Sequence, residues 1–321
     1  MKIVCLDGYT SNPGLFSWDG FKELGELTVY NDTPDPADII ERCRGAQAVL
    51  TNKRELTNED LDQLPELKYV GIMATGCNRI NLDEAHRRGI VVTNVPAYSS
   101  ESVAQLAMTL LLNVIYHPHT YTPEAVYNAW NGEYADLGRN FFELAGKQIG
   151  IVGYGNIGHC MANMCRGFSM TIATDSSKPA ELLPPDVVKM SREELFRTSD
   201  VISIHCPLTD ETKGMVSRHL ISLMKPTAIL INTSRGALID EEALAEALRE
   251  GRIFGAGLDV LSVEPPTDNN PLVNAPNTII TPHIGWDTDE ARLRLMQITL
   301  SNLRAWISGT PVNVVYSLSK K

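Results

Sequence analysis

The sequence predicts an α/β protein of two doubly wound parallel-sheet domains with a cleft between them. Three observations predict it. Apolar, strand-like runs alternate with helical segments through residues 1–98. A second alternation of the same kind runs through Gly150–Trp286. At its start stands Gly153-x-Gly155-x-x-Gly158, after the apolar run Ile149–Val152 and before a helical stretch. A length of 321 residues is long for one core and comfortable for two.

In the first half the expected strands are Lys2–Leu6, Leu27–Tyr30, Ala48–Leu50, Tyr69–Met73 and Ile90–Thr93. Helical stretches around Asp35–Arg44, Asn58–Gln63 and Leu82–Arg88 separate them. This half has no full glycine fingerprint, so it is α/β without a dinucleotide motif. Ser100–Tyr116 reads as a long apolar helix, stopped by Pro118 and too apolar for a simple surface helix. It is expected to connect the domains or to lie at a subunit contact. Tyr121–Arg139, with Trp130 and Tyr134, is expected to form an arm against a second subunit.

In the second half the expected strands are Gln148–Val152, Thr171–Thr174, Val201–Ile204, Ala228–Asn232, Gly255–Asp259 and Thr278–Thr281. Ser191-Arg-Glu-Glu194 has the spacing of a capping box. Asp240-Glu-Glu opens a helix with acids at its positive end, and Arg249 and Gly251 close it. The last helix, about Thr288–Ser308, is expected to return to the first domain, where Pro311–Tyr316 adds a strand. The expected domains are therefore 1–98 with 288–321, and 99–287.

Gly153 permits a tight turn, Gly155 lets the backbone approach a pyrophosphate, and Gly158 lets the helix pack on its strand. The helix start then offers free N–H groups to phosphate oxygens. Asp175 closes the next strand, where a carboxylate accepts hydrogen bonds from both adenosine ribose hydroxyls and repels a 2′-phosphate. The following Ser176-Ser177-Lys178 holds no arginine, which favours NAD over NADP. The expected domain is thus a Rossmann domain that binds NAD.

Composition narrows the partners. A net charge of −11 argues against nucleic acid and anionic membrane surfaces. Met1–Asp7 meets an acid too early for a signal peptide, and Leu106–Tyr116 is too short to span a bilayer. The six cysteines, at 5, 43, 77, 160, 165 and 206, show no CxxC pair, which fits reduced thiols in the cytoplasm. His117 and His119 flank Pro118 without a neighbouring acid or cysteine cluster, so no metal site is expected.

NAD chemistry needs a proton donor and a grip on the substrate. Three residues suit these tasks, and each follows a strand of the second domain, the end where α/β sheets bind ligands. Arg235, in Asn232-Thr-Ser-Arg-Gly, can hold a carboxylate with two parallel hydrogen bonds. Its bland alternative is a surface ion pair. His283, in Thr281-Pro-His-Ile-Gly-Trp, can give and take a proton, and Glu264, before Pro265 and Pro266, can support it. Their alternatives are a packing histidine and a solvated loop acid.

These motifs, in this order and rough spacing, resemble the D-isomer-specific 2-hydroxyacid dehydrogenase family, most strongly from Val92 to Trp286. The resemblance implies that Arg235 holds the substrate carboxylate and oxo group, that His283 is the acid/base and that Glu264 pairs with it. It implies Asn156 and Ile157 at the pyrophosphate and Cys206, Pro207 and Thr233 beside the cofactor. It also implies Asp259 near the nicotinamide amide, with Gly285 close by. The first domain would then be flavodoxin-like. Its loop Met73–Asn78 resembles the family's substrate loop, so Thr75, Gly76, Cys77 and Asn78 are expected at the substrate carboxylate through an anion nest.

Asn94-Val-Pro-Ala-Tyr-Ser-Ser-Glu-Ser-Val-Ala-Gln resembles the glycerate dehydrogenase (hydroxypyruvate reductase) branch. Gly285 departs from that branch's usual alanine, and the segment near Trp130–Asn140 looks shortened. The expected function is interconversion of a small D-2-hydroxy acid and its 2-oxo acid, with D-glycerate/hydroxypyruvate (or glyoxylate) first. D-lactate or another aliphatic 2-hydroxy acid is the rival substrate. An NAD-sensing binding protein is the rival of another class. A homodimer is expected from the same resemblance.

Overall fold

Five short strands begin the chain: β1 (Lys2–Cys5), β2 (Glu26–Val29), β3 (Ala48–Thr51), β4 (Tyr69–Ile72) and β5 (Val91–Thr93). They form one parallel sheet in the order β2-β1-β3-β4-β5, the flavodoxin-like arrangement. β3 and β4 are buried along their whole length, as expected of strands covered by helices on both faces. Val4, Val49, Val70 and Val92 join the helix residues Ile39 and Leu61 in one core. The structure, a computed structural model, describes residues 1–77, 79–118, 121–131 and 141–315.

The chain divides into two compact units, Met1–Ser99 with Asp287–Lys321, and Ser100–Trp286. The helix Asp289–Ile307 belongs to the first, where Asn302 Nδ2 donates to the Asn94 carbonyl and Trp306 stacks on Tyr69 at 4.8 Å. The expected terminal strand is smaller than its sequence suggests. A single antiparallel bridge joins Val314 to Thr93, and Val315 N–H donates to the Val92 carbonyl. Pro311 cannot donate to a ladder, which limits the pairing.

The second unit holds β6 (Gln148–Val152), β7 (Thr171–Asp175), β8 (Val187–Lys189), β9 (Val201–Ile204), β10 (Ile229–Asn232), β11 (Gly255–Leu258) and β12 (Thr278–Ile280). All pair in parallel in the order β12-β11-β10-β9-β6-β7-β8. The order reverses between β6 and β9, and such a switch point opens a ligand crevice at the strands' carboxyl ends. β8 was not expected from the sequence. It has three residues, two of them exposed at the sheet edge, so it carries no long apolar run.

The helix Ser100–Tyr116 packs Ala107, Leu110, Leu111 and Val114 into the second core beside Ile149 and Ile231. Leu110 and Val114 stand so close to β11 that a Cβ on Gly257 or Gly255 would meet them at 2.8 and 2.7 Å. Ser191 caps its helix by accepting from Glu194 N–H at 3.3 Å, so the expected box is present as this half alone. A reciprocal box occurs instead at Thr57 and Asp60. No helix among the described residues is long and apolar enough to cross a membrane. Of the expected arm, Pro123–Trp130 forms a helix, and residues 132–139 lie outside the described residues.

Candidate active site

The glycine fingerprint forms the turn after β6. Gly153 has φ +92°, and a Cβ there would meet the His205 carbonyl oxygen at 2.6 Å. A Cβ on Gly158 would lie 2.3 Å from the Gly153 oxygen, so the helix Asn156–Gly167 approaches the turn only because this residue is glycine. Gly155 is different, because a Cβ there would meet nothing within 4 Å. It caps the helix without a side chain, leaving the first N–H groups, including those of Asn156 and Ile157, for an outside acceptor.

The same sheet end carries the other expected cofactor residues. Cys206 and Pro207 follow β9, and Thr233 follows β10. The Thr233 hydroxyl is buried with no hydrogen-bond partner among the described residues. An orphaned hydroxyl, an open glycine cap and a helix start at the switch point fit a bound dinucleotide. Burial pushes the Cys206 thiol up to about 11, with Arg192 pulling the other way, so it stays a neutral thiol. Asp175 ends β7, and its Oδ2 accepts from Arg192 Nε at 2.7 Å. That partner lies 17 positions on in the chain and has no signal in the sequence.

Two of the three chemical candidates are joined directly. His283 Nδ1 lies 2.7 Å from Glu264 Oε2. The other Glu264 oxygen accepts from Leu261 N–H at 3.1 Å. Burial would raise the Glu264 carboxyl. The His283 bond and charge, the Leu261 N–H and the Arg235 charge outweigh it and hold the group below the usual carboxylate range. Arg235 therefore stands near enough for its charge to be felt at Glu264.

Each position has a local cause. Asn232 clamps the turn after β10: its Oδ1 accepts from Ser234 N–H at 3.0 Å, and its Nδ2 donates to the Arg235 carbonyl at 2.9 Å. Gly236 then passes so close to Leu261 that a Cβ would fall 1.9 Å from its carbonyl carbon. This contact brings the Arg235 turn against the loop that carries Glu264.

Asp259 holds the third loop. Its carboxylate accepts from Thr281 Oγ1 at 2.6 Å, Ile284 N at 2.9 Å and Gly285 N at 2.8 Å. Its carbonyl accepts from His283 N–H at 2.9 Å. Burial raises this carboxyl above its ordinary range against those bonds. Asp259 thus fixes the backbone on both sides of His283, a task the sequence reading did not assign. His283 itself has φ +56°, a left-handed conformation that is unusual for a residue with a Cβ. Trp286 Nε1 adds a bond to its carbonyl at 3.0 Å.

In the first unit the loop Met73–Cys77 follows β4. Asn94 Nδ2 donates to the Thr75 carbonyl at 2.8 Å, and Thr75 Oγ1 donates to the Val95 carbonyl at 2.9 Å. Among the described residues, the N–H groups of Thr75, Gly76 and Cys77 have no acceptor. Asn78 lies outside the described residues. Burial pushes the Cys77 thiol up to about 11, which disfavours a reactive thiolate. Asp7, missed by the sequence reading, supports this region: its carboxylate accepts the N–H groups of Asn52, Lys53 and Arg54, and Asn52 Nδ2 donates to the Met73 carbonyl.

The family model for the D-isomer specific 2-hydroxyacid dehydrogenase, NAD binding domain, matches residues 102–285. The chain belongs to this family. It is an NAD-dependent oxidoreductase of the D-2-hydroxyacid dehydrogenase type, and its substrates are small 2-hydroxy and 2-oxo acids. A hydroxypyruvate reductase of Blautia hydrogenotrophica is 41% identical over 320 residues, covering 98% of this chain and 99% of the relative. A glycerate dehydrogenase of Methylorubrum extorquens is 35% identical, covering 90% of this chain and 92% of the relative. Among solved structures, an acyclic imino acid reductase (Bsp5) in complex with NADPH and D-Arg superposes with a TM-score of 0.86 at 31% identity, over 98% of this chain and 100% of that one.

Proposed function

We propose that this dehydrogenase interconverts hydroxypyruvate and D-glycerate, with Arg235 gripping the substrate and His283 exchanging the proton. The 2.7 Å contact between His283 and Glu264, under the charge of Arg235, carries the reading. The names of the two relatives, at 41% and 35% identity, favour this substrate pair over other 2-oxo acids.

NADH, when bound, supplies the hydride. Asn156 and Ile157 hold its pyrophosphate with their N–H groups, Asp175 takes the adenosine ribose, and Cys206, Pro207, Thr233, Asp259 and Gly285 line its path. The Arg235 guanidinium binds the substrate carboxylate and polarises the oxo group. Within the first unit, the N–H groups of Thr75, Gly76 and Cys77, unpaired among the described residues, form a nest suited to a carboxylate. Protonated His283 gives its Nε2 proton to the carbonyl oxygen as that oxygen gains negative charge, and Glu264 stabilises the imidazolium through Nδ1. In the reverse direction neutral His283 takes the hydroxyl proton.

The functional unit is a homodimer that works in the cytoplasm. Tyr127 and Trp130, 70% and 77% exposed, offer aromatic surface for a second copy, and an elution volume tests this. The free state of all six cysteines suits a reducing compartment. The substrate reading is tested by NADH oxidation with hydroxypyruvate, glyoxylate, pyruvate and 2-oxoisocaproate. Hydroxypyruvate should give the highest kcat/KM. A clear preference for pyruvate or 2-oxoisocaproate would replace it with an aliphatic substrate, and no turnover on any would favour a binding protein.

A further inference from the structure

The ribose end of the nucleotide site carries a cation that the fingerprint does not predict. Arg192, the first residue of its helix, donates to Asp175 through Nε alone. Its Nη1 and Nη2 donate to nothing among the described residues. A guanidinium that used its planar fork on this carboxylate would engage two nitrogens; this one leaves its outer edge unused. Two further cations lie on the same corner. Lys189 stands beside Thr174 in the β7–β8 register, and its Nζ donates to the Lys178 carbonyl at 2.8 Å. The Lys178 ammonium lies over the Tyr154 ring, whose residue follows the first fingerprint glycine. The Ser176 hydroxyl accepts from the N–H groups of Tyr154 and Lys178, tying this loop to the glycine turn.

A lone aspartate at this position repels a 2′-phosphate. Here its charge is offset by Arg192, and both side chains are partly open to solvent, at 40% for Arg192 and 23% for Asp175. The geometry points to a ribose pocket that accepts 2′-phosphorylated as well as unphosphorylated nicotinamide dinucleotides, with Arg192 as the residue that sets the ratio. With a free 2′-hydroxyl, Arg192 stays on Asp175 and the carboxylate takes the hydroxyls. With a 2′-phosphate, the Nη1/Nη2 edge takes two phosphate oxygens, and Nε keeps Asp175 neutralised. This rests on the reading of Asp175 as the ribose acid.

The test is direct binding. NADH and NADPH are titrated by nicotinamide fluorescence, and 5′-AMP and 2′,5′-ADP by calorimetry, at one fixed salt concentration. The unmodified protein should bind both dinucleotides. Arg192→Gln should lower the affinity for NADPH relative to NADH by about tenfold or more, with the same direction for 2′,5′-ADP against 5′-AMP. Asp175→Asn should move the ratio the other way, toward NADPH. An unchanged ratio in Arg192→Gln, or an equal loss for both dinucleotides, overturns the role of Arg192. Failure of the unmodified protein to bind NADPH overturns the dual pocket. NADH binding that Asp175→Asn leaves untouched removes the ribose reading beneath it.

Discussion

His283 and Glu264 are joined through Nδ1 and Oε2 at 2.7 Å, although 19 residues separate them in the chain. The bond leaves Nε2 as the ring atom available to a substrate and fixes the plane in which it acts. The Glu264 carboxyl is held below its usual range, so it stays ionised through neutral and mildly acidic conditions. Replacing it with an uncharged isostere removes the support for an imidazolium. Glu264→Gln is expected to lower kcat by about 10- to 100-fold while leaving NADH affinity near its original value, since a supporting residue carries only part of the roughly 10²–10⁴-fold acid/base assistance. Steady-state rates and nicotinamide fluorescence together check both halves.

Arg235 is expected to act first on binding. Arg235→Ala should raise KM for the 2-oxo acid by at least about tenfold, the loss of one charge-assisted pair. Arg235→Lys should recover little of it, because an ammonium is a point charge without the fork. An initial-rate series over substrate concentration measures the split between KM and kcat.

Gly236 offers a steric test of the same constellation. Its Cβ position is occupied by the Leu261 carbonyl carbon at 1.9 Å, and backbone cannot swing aside as a side-chain tip does. Gly236→Ala should force the Arg235 turn from the Glu264 loop, with a stability loss of about 1–3 kcal/mol or more. Denaturant unfolding measures the loss, and activity should fall further than stability alone explains. Gly285→Ala is the milder comparison. Its Cβ would sit 3.0 Å from Asp259 Oδ2, so a shift of a few tenths of an ångström decides its effect on His283.

Acid sensitivity follows from two groups with the same sign. His205 is buried, its Nε2 lies 2.8 Å from Ser203 Oγ, and burial lowers its pKa from 6.5 to about 4. Between these values the unfolded chain binds the extra proton, so stability falls as pH drops from 6.5 toward 4, by about 3 kcal/mol from this residue. Glu264, with a folded pKa below its unfolded one, contributes stability above the ordinary carboxylate range and loses it as pH falls through the folded value. Its partial exposure makes that share small. Urea unfolding at pH 7 and pH 5 should show a decline that His205→Gln largely removes.

Much of this was legible because it is local. The glycine turn after β6 depends on neighbouring positions, so Gly153 and Gly158, which no larger residue could replace without a shift, announce it from the sequence. The helix Ser100–Tyr116 follows from one apolar run and its proline stop. The strand β8 escaped because three edge residues, one buried and two exposed, show no periodicity. Arg192 on Asp175, Asp259 on the His283 loop and Asp7 on the Asn52–Arg54 turn escaped for another reason. Each is a side chain meeting a partner far along the chain, and spacing carries no record of such pairs. The pairing of His283 with Glu264 was expected through resemblance alone, and the close pass of Gly236 on Leu261, which brings the Arg235 turn to the same loop, appears only in three dimensions.

The central claim is that His283 transfers the proton. The most direct measurement is NADH oxidation with hydroxypyruvate by the His283→Asn variant, alongside its NADH affinity. Turnover should fall by about a thousandfold or more with NADH binding retained, the scale of a lost acid/base group that also orients substrate. Turnover within about tenfold of the unmodified enzyme, at unchanged NADH affinity, would contradict the account.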